Sequence, residues 1–167
     1  MTVEQHQHVG GVELLRPVQG LAIGIGAAVV MAGVFMAGFA LTGKGAWTPI
    51  NAIGSFFQSN PTPQPTFDGM TSIIGLVIQL LVGSLLGVLY ASAQARIDSP
   101  SLLIIAIWYG FIVWFTATFL ILSWLKPSLR EVMRSWPMLV SHLTYGAVLG
   151  IYAITQNKPV KRIVSPD

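Results

Sequence analysis

The stretch from Ser72 to Leu125, "SIIGLVIQLLVGSLLGVLYASAQARIDSPSLLIIAIWYGFIVWFTATFLILSWL", decides the fold of this chain. It consists of two long apolar runs, and the only charged residues between them are Arg96 and Asp98. A helix needs about 20 apolar residues to cross a hydrocarbon core of about 30 Å, so each run is long enough for one transmembrane helix. Because the polar link is short, the two helices are predicted to be antiparallel neighbours.

The same criterion divides the rest of the chain. Charge-free windows cover residues 17–43, 69–95, 99–125 and 135–157, whereas a fifth window at 45–67 is rejected because it contains four prolines. Prolines at this density leave backbone polar groups unpaired, which lipid does not tolerate. We therefore predict one all-α domain over residues 1–167, a polytopic bundle with four transmembrane helices. Its spans are placed at about 17–42, 69–94, 100–125 and 137–156, with polar tails at 1–16 and 157–167.

Composition agrees with a membrane protein and excludes several kinds of function. The chain is 53% hydrophobic and only 9% charged, whereas a soluble domain carries about 25% charged residues. It has no cysteine, which excludes disulfides and thiolate ligands. The net charge of +3 is spread along the chain and leaves no basic patch for nucleic acid.

Two segments that follow odd-numbered spans are predicted to be short interfacial helices. They are "WTPINAIGSFF" (47–57) and "KPSLREVMRSW" (126–136), and each places apolar residues on one helical face. An internal repeat is also indicated, because residues 79–90 align with residues 142–152. This alignment matches Gln79 to His142, and it predicts two repeated helical hairpins related by an axis along the membrane normal.

Small residues recur at four-residue spacing in three of the predicted spans. The positions are Gly20, Gly24 and Ala28 in the first span, and the GxxxG pairs Gly83/Gly87 and Gly146/Gly150 in the second and fourth. Such stripes let helix backbones approach closely in lipid. We expect them to pack within the bundle, and the alternative is a stripe that faces a partner protein. The third span is predicted to lack a small-residue stripe and is rich in aromatic residues instead.

His142 is the side chain within the four spans that titrates near neutral pH, and no Asp, Glu, Lys or Arg accompanies it there. An ionisable residue inside a membrane is by default a functional-site hypothesis. A pump or ion-coupled carrier is disfavoured because it needs intramembrane carboxylates or broken helices. His142 is expected to serve in packing and interhelical hydrogen bonding. In the alternative it contributes to a cofactor site with Gln79 and an aromatic face formed by Trp108, Phe111 and Phe115.

These features predict a non-catalytic integral membrane protein with no bound cofactor and no metal site. The favoured function is an accessory or scaffolding subunit of a larger membrane complex, or a bundle that associates with itself. Its partners would then be membrane lipids and other membrane subunits or a second copy. The alternative is a binding module for a membrane-soluble cofactor, namely a quinone, carotenoid, chlorophyll or haem. A small-solute channel is less favoured, because few polar residues are available to line it: Gln79, Ser84, Thr116, Thr118 and His142.

Two motifs carry a resemblance to a known group of proteins. His142, Leu143, Tyr145 and Gly146 form a His-Leu-x-Tyr-Gly pattern in the last span, and Trp47, Pro49, Asn51 and Gly54 form a W-x-P-x-N-x-x-G loop. In both motifs the chain resembles small four-helix bacterial integral membrane proteins of unknown function. The resemblance implies a location in the bacterial inner membrane. The balance of basic residues, five on the side of the termini against four on the other, favours cytoplasmic termini.

Overall fold

The computed structural model describes residues 4–58, 62–94 and 101–156, and for residues 4–16 only the backbone. Four of its helices are long and apolar enough to cross a membrane, at Pro17–Leu41, Gly69–Gln94, Leu102–Leu125 and Trp136–Gln156. No strand occurs among the described residues, so the predicted all-α four-helix bundle is confirmed. The first helix, α1 (Glu4–Leu41), begins before the span itself and contains Pro17 in its interior. The segment predicted as an N-terminal polar tail is therefore helical from Glu4 onward, while residues 157–167 lie outside the described residues.

Each half of the chain contains a long helix, a short helix and a second long helix. In the first half α1 is followed by α2 (Thr48–Gly54), a 3-10 turn (Ser55–Phe57) and α3 (Gly69–Gln94). In the second half α4 (Leu102–Phe115) continues through a π-helical segment (Thr116–Ile121) into α5 (Leu122–Leu125). A 3-10 turn (Pro127–Leu129), α6 (Arg130–Met133) and α7 (Trp136–Gln156) complete this half. Below, the third span denotes α4, the π-helical segment and α5 together.

The glycines of α1 and α3 face one another where these helices pack. A Cβ atom added at Gly24 would lie 2.6 Å from the Gly83 carbonyl oxygen, and one added at Gly20 would lie 2.8 Å from Ala91 Cβ. A Cβ at Gly87 would collide with the carbonyl oxygen of Gly20. Only residues without a side chain therefore fit at these points, and the α1 and α3 backbones lie in direct contact.

The second close helix pair joins α4 to α7 and corrects the prediction for the third span. Ala106 is fully buried, and a Cβ at Gly150 would lie 2.8 Å from its Cβ. A Cβ at Gly110 would collide with the carbonyl oxygen of His142. Ala106 and Gly110, four residues apart, thus form a small-residue stripe, and the prediction that the third span has none is wrong. Trp114 continues this buried line, whereas Trp108 and Phe115 lie on exposed faces of the span.

The short helix α2 packs into the bundle through its own close backbone contact with α3. Its buried residues include Ile50, Asn51 and Ala52, all fully inaccessible. A Cβ at Gly54 would collide with the carbonyl oxygen of Thr71, and one at Gly75 would collide with that of Ile50. Glycine on both helices therefore lets the α2 backbone lie against α3.

The proline-rich loop that follows α2 folds back onto it. The Trp47 backbone N–H donates to the Pro65 carbonyl at 3.3 Å, and the Trp47 ring packs edge-on against Phe67 at a centroid distance of 4.9 Å. The Asn51 side-chain amide donates to the carbonyl oxygens of Gln64 and Thr66, each at 2.8 Å. A buried asparagine thus supplies hydrogen-bond donors to two carbonyl groups of the loop backbone.

Among the described residues, α3 and α4 contact one another toward the C-terminal end of α3 and the N-terminal half of α4. There the Tyr109 hydroxyl donates to the Leu86 carbonyl at 2.9 Å, and the rings of Tyr90 and Tyr109 lie 5.4 Å apart. Elsewhere α3 packs chiefly on α1, and α4 packs chiefly on α7. The prediction that these two helices are neighbours therefore applies only to that end. At the other end they diverge and leave a space between them.

Candidate functional site

A crevice of about 340 Å³ occupies the space between α3 and the third span. Ile78, Gln79 and Val82 of α3 form one wall. Met31 of α1 and two residues of α7 line the back, and the short helices α2 and α6 close the end. The crevice is partly open to the outside, where its rim contains exposed apolar side chains: Phe57, Val82 and Ile121. An apolar molecule dissolved in the membrane could therefore enter from the side.

The π-helical segment shapes the opposite wall. Within it, the Leu122 backbone N–H bonds to the Ala117 carbonyl, five residues earlier, so this turn holds one residue more than an α-helical turn. Ala117 and Ile121 of this segment, with Leu122, line the crevice. Single π-helical turns within α-helices occur frequently at functional sites.

The third span is hydrogen-bonded to the carbonyl oxygen of Met133, the last residue of α6, at the closed end of the crevice. The Trp114 indole donates to it at 3.0 Å, and the Thr118 hydroxyl lies 3.4 Å from it. Met133 and Leu129 in turn line the crevice opposite Ile53 and Phe56, which follow from α2. Both short segments therefore contribute to the same enclosed end.

His142 presents one ring nitrogen to the crevice as a hydrogen-bond acceptor. The side chain is 9% exposed, and its Nδ1 lies 2.8 Å from the carbonyl oxygen of Met138 one turn earlier in α7. A carbonyl oxygen only accepts, so in the neutral ring the proton resides on Nδ1 and Nε2 is left as an acceptor. No described residue bonds to Nε2. The ring lines the crevice, so this acceptor is available to a molecule within it.

Gln79 supplies the second polar group of the crevice. Its side chain is 8% exposed, and its amide makes no hydrogen bond to the described part of the chain. Among the described residues, the Tyr90 hydroxyl is the one fully inaccessible side-chain polar atom without a hydrogen-bond partner. The unpaired amide atoms of Gln79 are therefore accessible. The amide therefore offers both a donor and an acceptor to the crevice.

A smaller chamber of about 90 Å³ adjoins the crevice, and Gln79 and His142 line both. The Tyr145 hydroxyl lies at this chamber, but it already donates to the Gly83 carbonyl at 2.6 Å. The two unpaired polar groups therefore stand where the larger and smaller spaces meet. None of the described residues that line either space is charged.

A comparison with protein-family models matches residues 15–162 of this chain to a family of unknown function, DUF6789. The match covers most of the chain. The chain belongs to the DUF6789 family. No curated protein and no solved structure matches it. The prediction of a family without an assigned activity is thus confirmed, and so are the four apolar helices, while the two motifs as markers of the family and the bacterial origin stay predictions.

The predicted aromatic site residues of this DUF6789 chain lie away from His142. Trp108 is 59% exposed and Phe115 is 45% exposed, and neither they nor Phe111 line the crevice or the smaller chamber. Their rings form a row along the third span, in which the half-buried Phe111 lies 5.5 Å from Trp108 and 6.2 Å from Phe115. The structure therefore brings together only His142 and Gln79 of the predicted cofactor-binding set.

Sequence analysis missed the apolar residues that give the DUF6789 crevice its shape. Met31 and Ala117 line both spaces, yet each is an ordinary apolar residue within a predicted span. The buried Asn51 was noted only as part of a motif, although a polar residue among apolar ones in a helix is a signal of internal hydrogen bonding. The π-helical segment has no sequence signal that hydropathy detects.

Proposed function

We propose that this DUF6789 protein is a non-catalytic integral membrane protein that binds an uncharged, membrane-soluble molecule in the crevice. The observation that supports the proposal most is the pair of unpaired polar groups, His142 Nε2 and the Gln79 amide, in an otherwise apolar space. A buried polar group without a hydrogen-bond partner costs about 1–3 kcal/mol. A ligand that satisfies both groups would recover this free energy.

The size and position of the crevice support the same proposal. Its volume of about 340 Å³ lies within the range of roughly 300–1,000 Å³ that is typical of small-molecule sites, which are mostly apolar with few polar groups. Its rim faces the outside of a bundle whose helices are suited to a membrane. A membrane-soluble ligand would reach it through the lipid.

The proposal is tested by filling the crevice. Ala117→Phe places a ring in both the crevice and the smaller chamber, whereas Ala37→Phe places the same ring on an exposed position of α1. Native mass spectrometry in mild detergent should find a co-purified small molecule on the wild-type protein and on Ala37→Phe but not on Ala117→Phe. A wild-type protein without any bound molecule, or equal retention by both variants, would contradict the proposal.

The sequence-based predictions of a subunit role and of orientation are retained as proposals. A native pull-down in mild detergent tests the first, since a subunit co-purifies with a larger complex or a second copy. For the second we propose the bacterial inner membrane with cytoplasmic termini. Because the chain has no cysteine, single cysteines introduced at Gln58 and after Asp167 allow clean labelling from either side. Labelling of Gln58→Cys only from the cytoplasmic side would contradict the proposed orientation.

A further inference from the structure

We infer that the molecule bound in the crevice carries a hydroxyl group, which hydrogen-bonds to His142 and Gln79 at the junction of the two chambers. The inference rests on the proposed function and specifies the chemistry of its ligand. It depends on which hydrogen-bonding roles the protein leaves open.

The role of His142 follows from its own helix. Its Nδ1 is bound to the Met138 carbonyl at 2.8 Å, so in the neutral ring Nε2 can accept a hydrogen bond but cannot donate one. A ligand group that only accepts, such as a ketone, an ester or a quinone carbonyl, would place lone pairs against this nitrogen. A group that donates is required to satisfy it.

The role of Gln79 extends this requirement. Its amide N–H₂ donates and its carbonyl oxygen accepts, and the described residues engage neither group. A hydroxyl group donates one hydrogen bond and accepts others through the same oxygen. It can therefore donate to His142 Nε2 while it accepts from the Gln79 amide, so one small group would satisfy both side chains.

The other residues that line the crevice indicate the polarity and charge of the rest of the ligand. The back and walls of the crevice consist of side chains such as Met31, Ile78, Val82 and Leu122, and no described lining residue carries a charge. An ionised carboxylate or phosphate would be desolvated there without a counter-charge, at a cost that a neutral hydroxyl avoids. The ligand is therefore an apolar body that ends in a hydroxyl, either an aliphatic alcohol or a phenol such as a quinol.

The experiment compares molecules that differ only in the hydroxyl. The probes are hexadecanol and its methyl ether, and decylhydroquinone and its dimethyl ether. Each is incorporated in phosphatidylcholine nanodiscs with the full-length protein, and the bound amount is measured by native mass spectrometry relative to empty nanodiscs. A lost hydrogen bond of ordinary strength corresponds to about fivefold in binding, so at least one hydroxyl probe should exceed its ether by about that factor. The pair that shows the preference identifies the ligand as aliphatic or phenolic.

Protein variants provide the second arm. His142→Phe and Gln79→Leu should reduce the preference to about one. Ser84→Ala should leave it unchanged, because this half-buried hydroxyl bonds to the Leu81 carbonyl of its own helix and lines neither space. Equal binding of alcohol and ether, preference for an ether, or binding of none of the probes would overturn the inference. Because the ether comparison uses the wild-type protein, a variant that fails to fold does not affect it. The co-purification experiment with Ala117→Phe decides the proposed function separately.

Discussion

Ser72 Oγ donates a hydrogen bond of 2.6 Å to Asn51 Oδ1, and both side chains are fully buried. The same hydroxyl accepts from the Asp68 backbone N–H at 2.9 Å. With the two bonds from the Asn51 amide to the Gln64 and Thr66 carbonyls, this pair joins α2, the proline-rich loop and the start of α3. These hydrogen bonds hold the proline-rich loop against the helix bundle.

Removing this asparagine should therefore destabilise the protein more than an ordinary polar substitution. Asn51→Ala leaves the buried Ser72 hydroxyl without its acceptor, which costs about 1–3 kcal/mol, and removes two partly buried hydrogen bonds to the loop, which contribute about 0.5–1.5 kcal/mol each. We expect a loss of roughly 3 kcal/mol in the free energy of unfolding, measured in mixed detergent micelles. Ser92→Ala is the control, because this exposed hydroxyl bonds only to Val88 in its own helix. An equal effect of the two variants would mean that the Asn51 network contributes little.

Two glycines of α1 that are two residues apart, and so lie on opposite faces of the helix, should respond differently to alanine. A Cβ at Gly24 would lie 2.6 Å from the Gly83 carbonyl oxygen, whereas one at Gly26 meets nothing within 4 Å. Gly24→Ala should cost about 1–3 kcal/mol through overpacking. Gly26→Ala should be neutral or slightly stabilising, because alanine loses less backbone freedom in a helix. The free energy of unfolding of both variants tests this, and a destabilised Gly26→Ala would contradict the packing described here.

The hydroxyl groups of Tyr145 and Tyr90 should contribute differently to the free energy of unfolding. Tyr145 donates to the Gly83 carbonyl at 2.6 Å, whereas the buried Tyr90 hydroxyl has no partner among the described residues. Tyr145→Phe should lower the free energy of unfolding by about 0.5–1.5 kcal/mol. Tyr90→Phe should leave it unchanged or raise it, since removing an unpaired hydroxyl costs no hydrogen bond. If Tyr90→Phe proves the more destabilising of the two, this assignment of hydrogen bonds is wrong.

The aromatic row of the third span should face lipid. Trp108 is 59% exposed, whereas Trp114, which bonds to the Met133 carbonyl, is 9% exposed. In variants that retain one of these tryptophans alone, brominated lipids should quench the fluorescence of Trp108 strongly and that of Trp114 weakly. Weak quenching of Trp108 in the isolated protein would indicate that another protein copy covers this face.

The residues around His142 show how far sequence reasoning reached toward the site. His142 and Gln79 were paired from a short alignment of the second and fourth spans, and both line the crevice. Trp108, Phe111 and Phe115 were grouped with them because aromatic residues share a helical face, yet none of the three lines the crevice or the smaller chamber. Periodicity identifies residues that share a face, but it does not determine which neighbour that face meets.

The sequence by itself determined the four apolar helices, because each depends only on local hydropathy and length. It also contained the small residues at close contacts, although Ala106 and Gly110 were hidden among aromatic residues. The tertiary structure alone decided that α3 and α4 diverge, that a π-helical turn shapes the wall between them, and that Asn51 binds the loop. These outcomes depend on backbone contacts between distant segments, where the absence of a Cβ or the position of a single donor determines which helices approach and which leave a space.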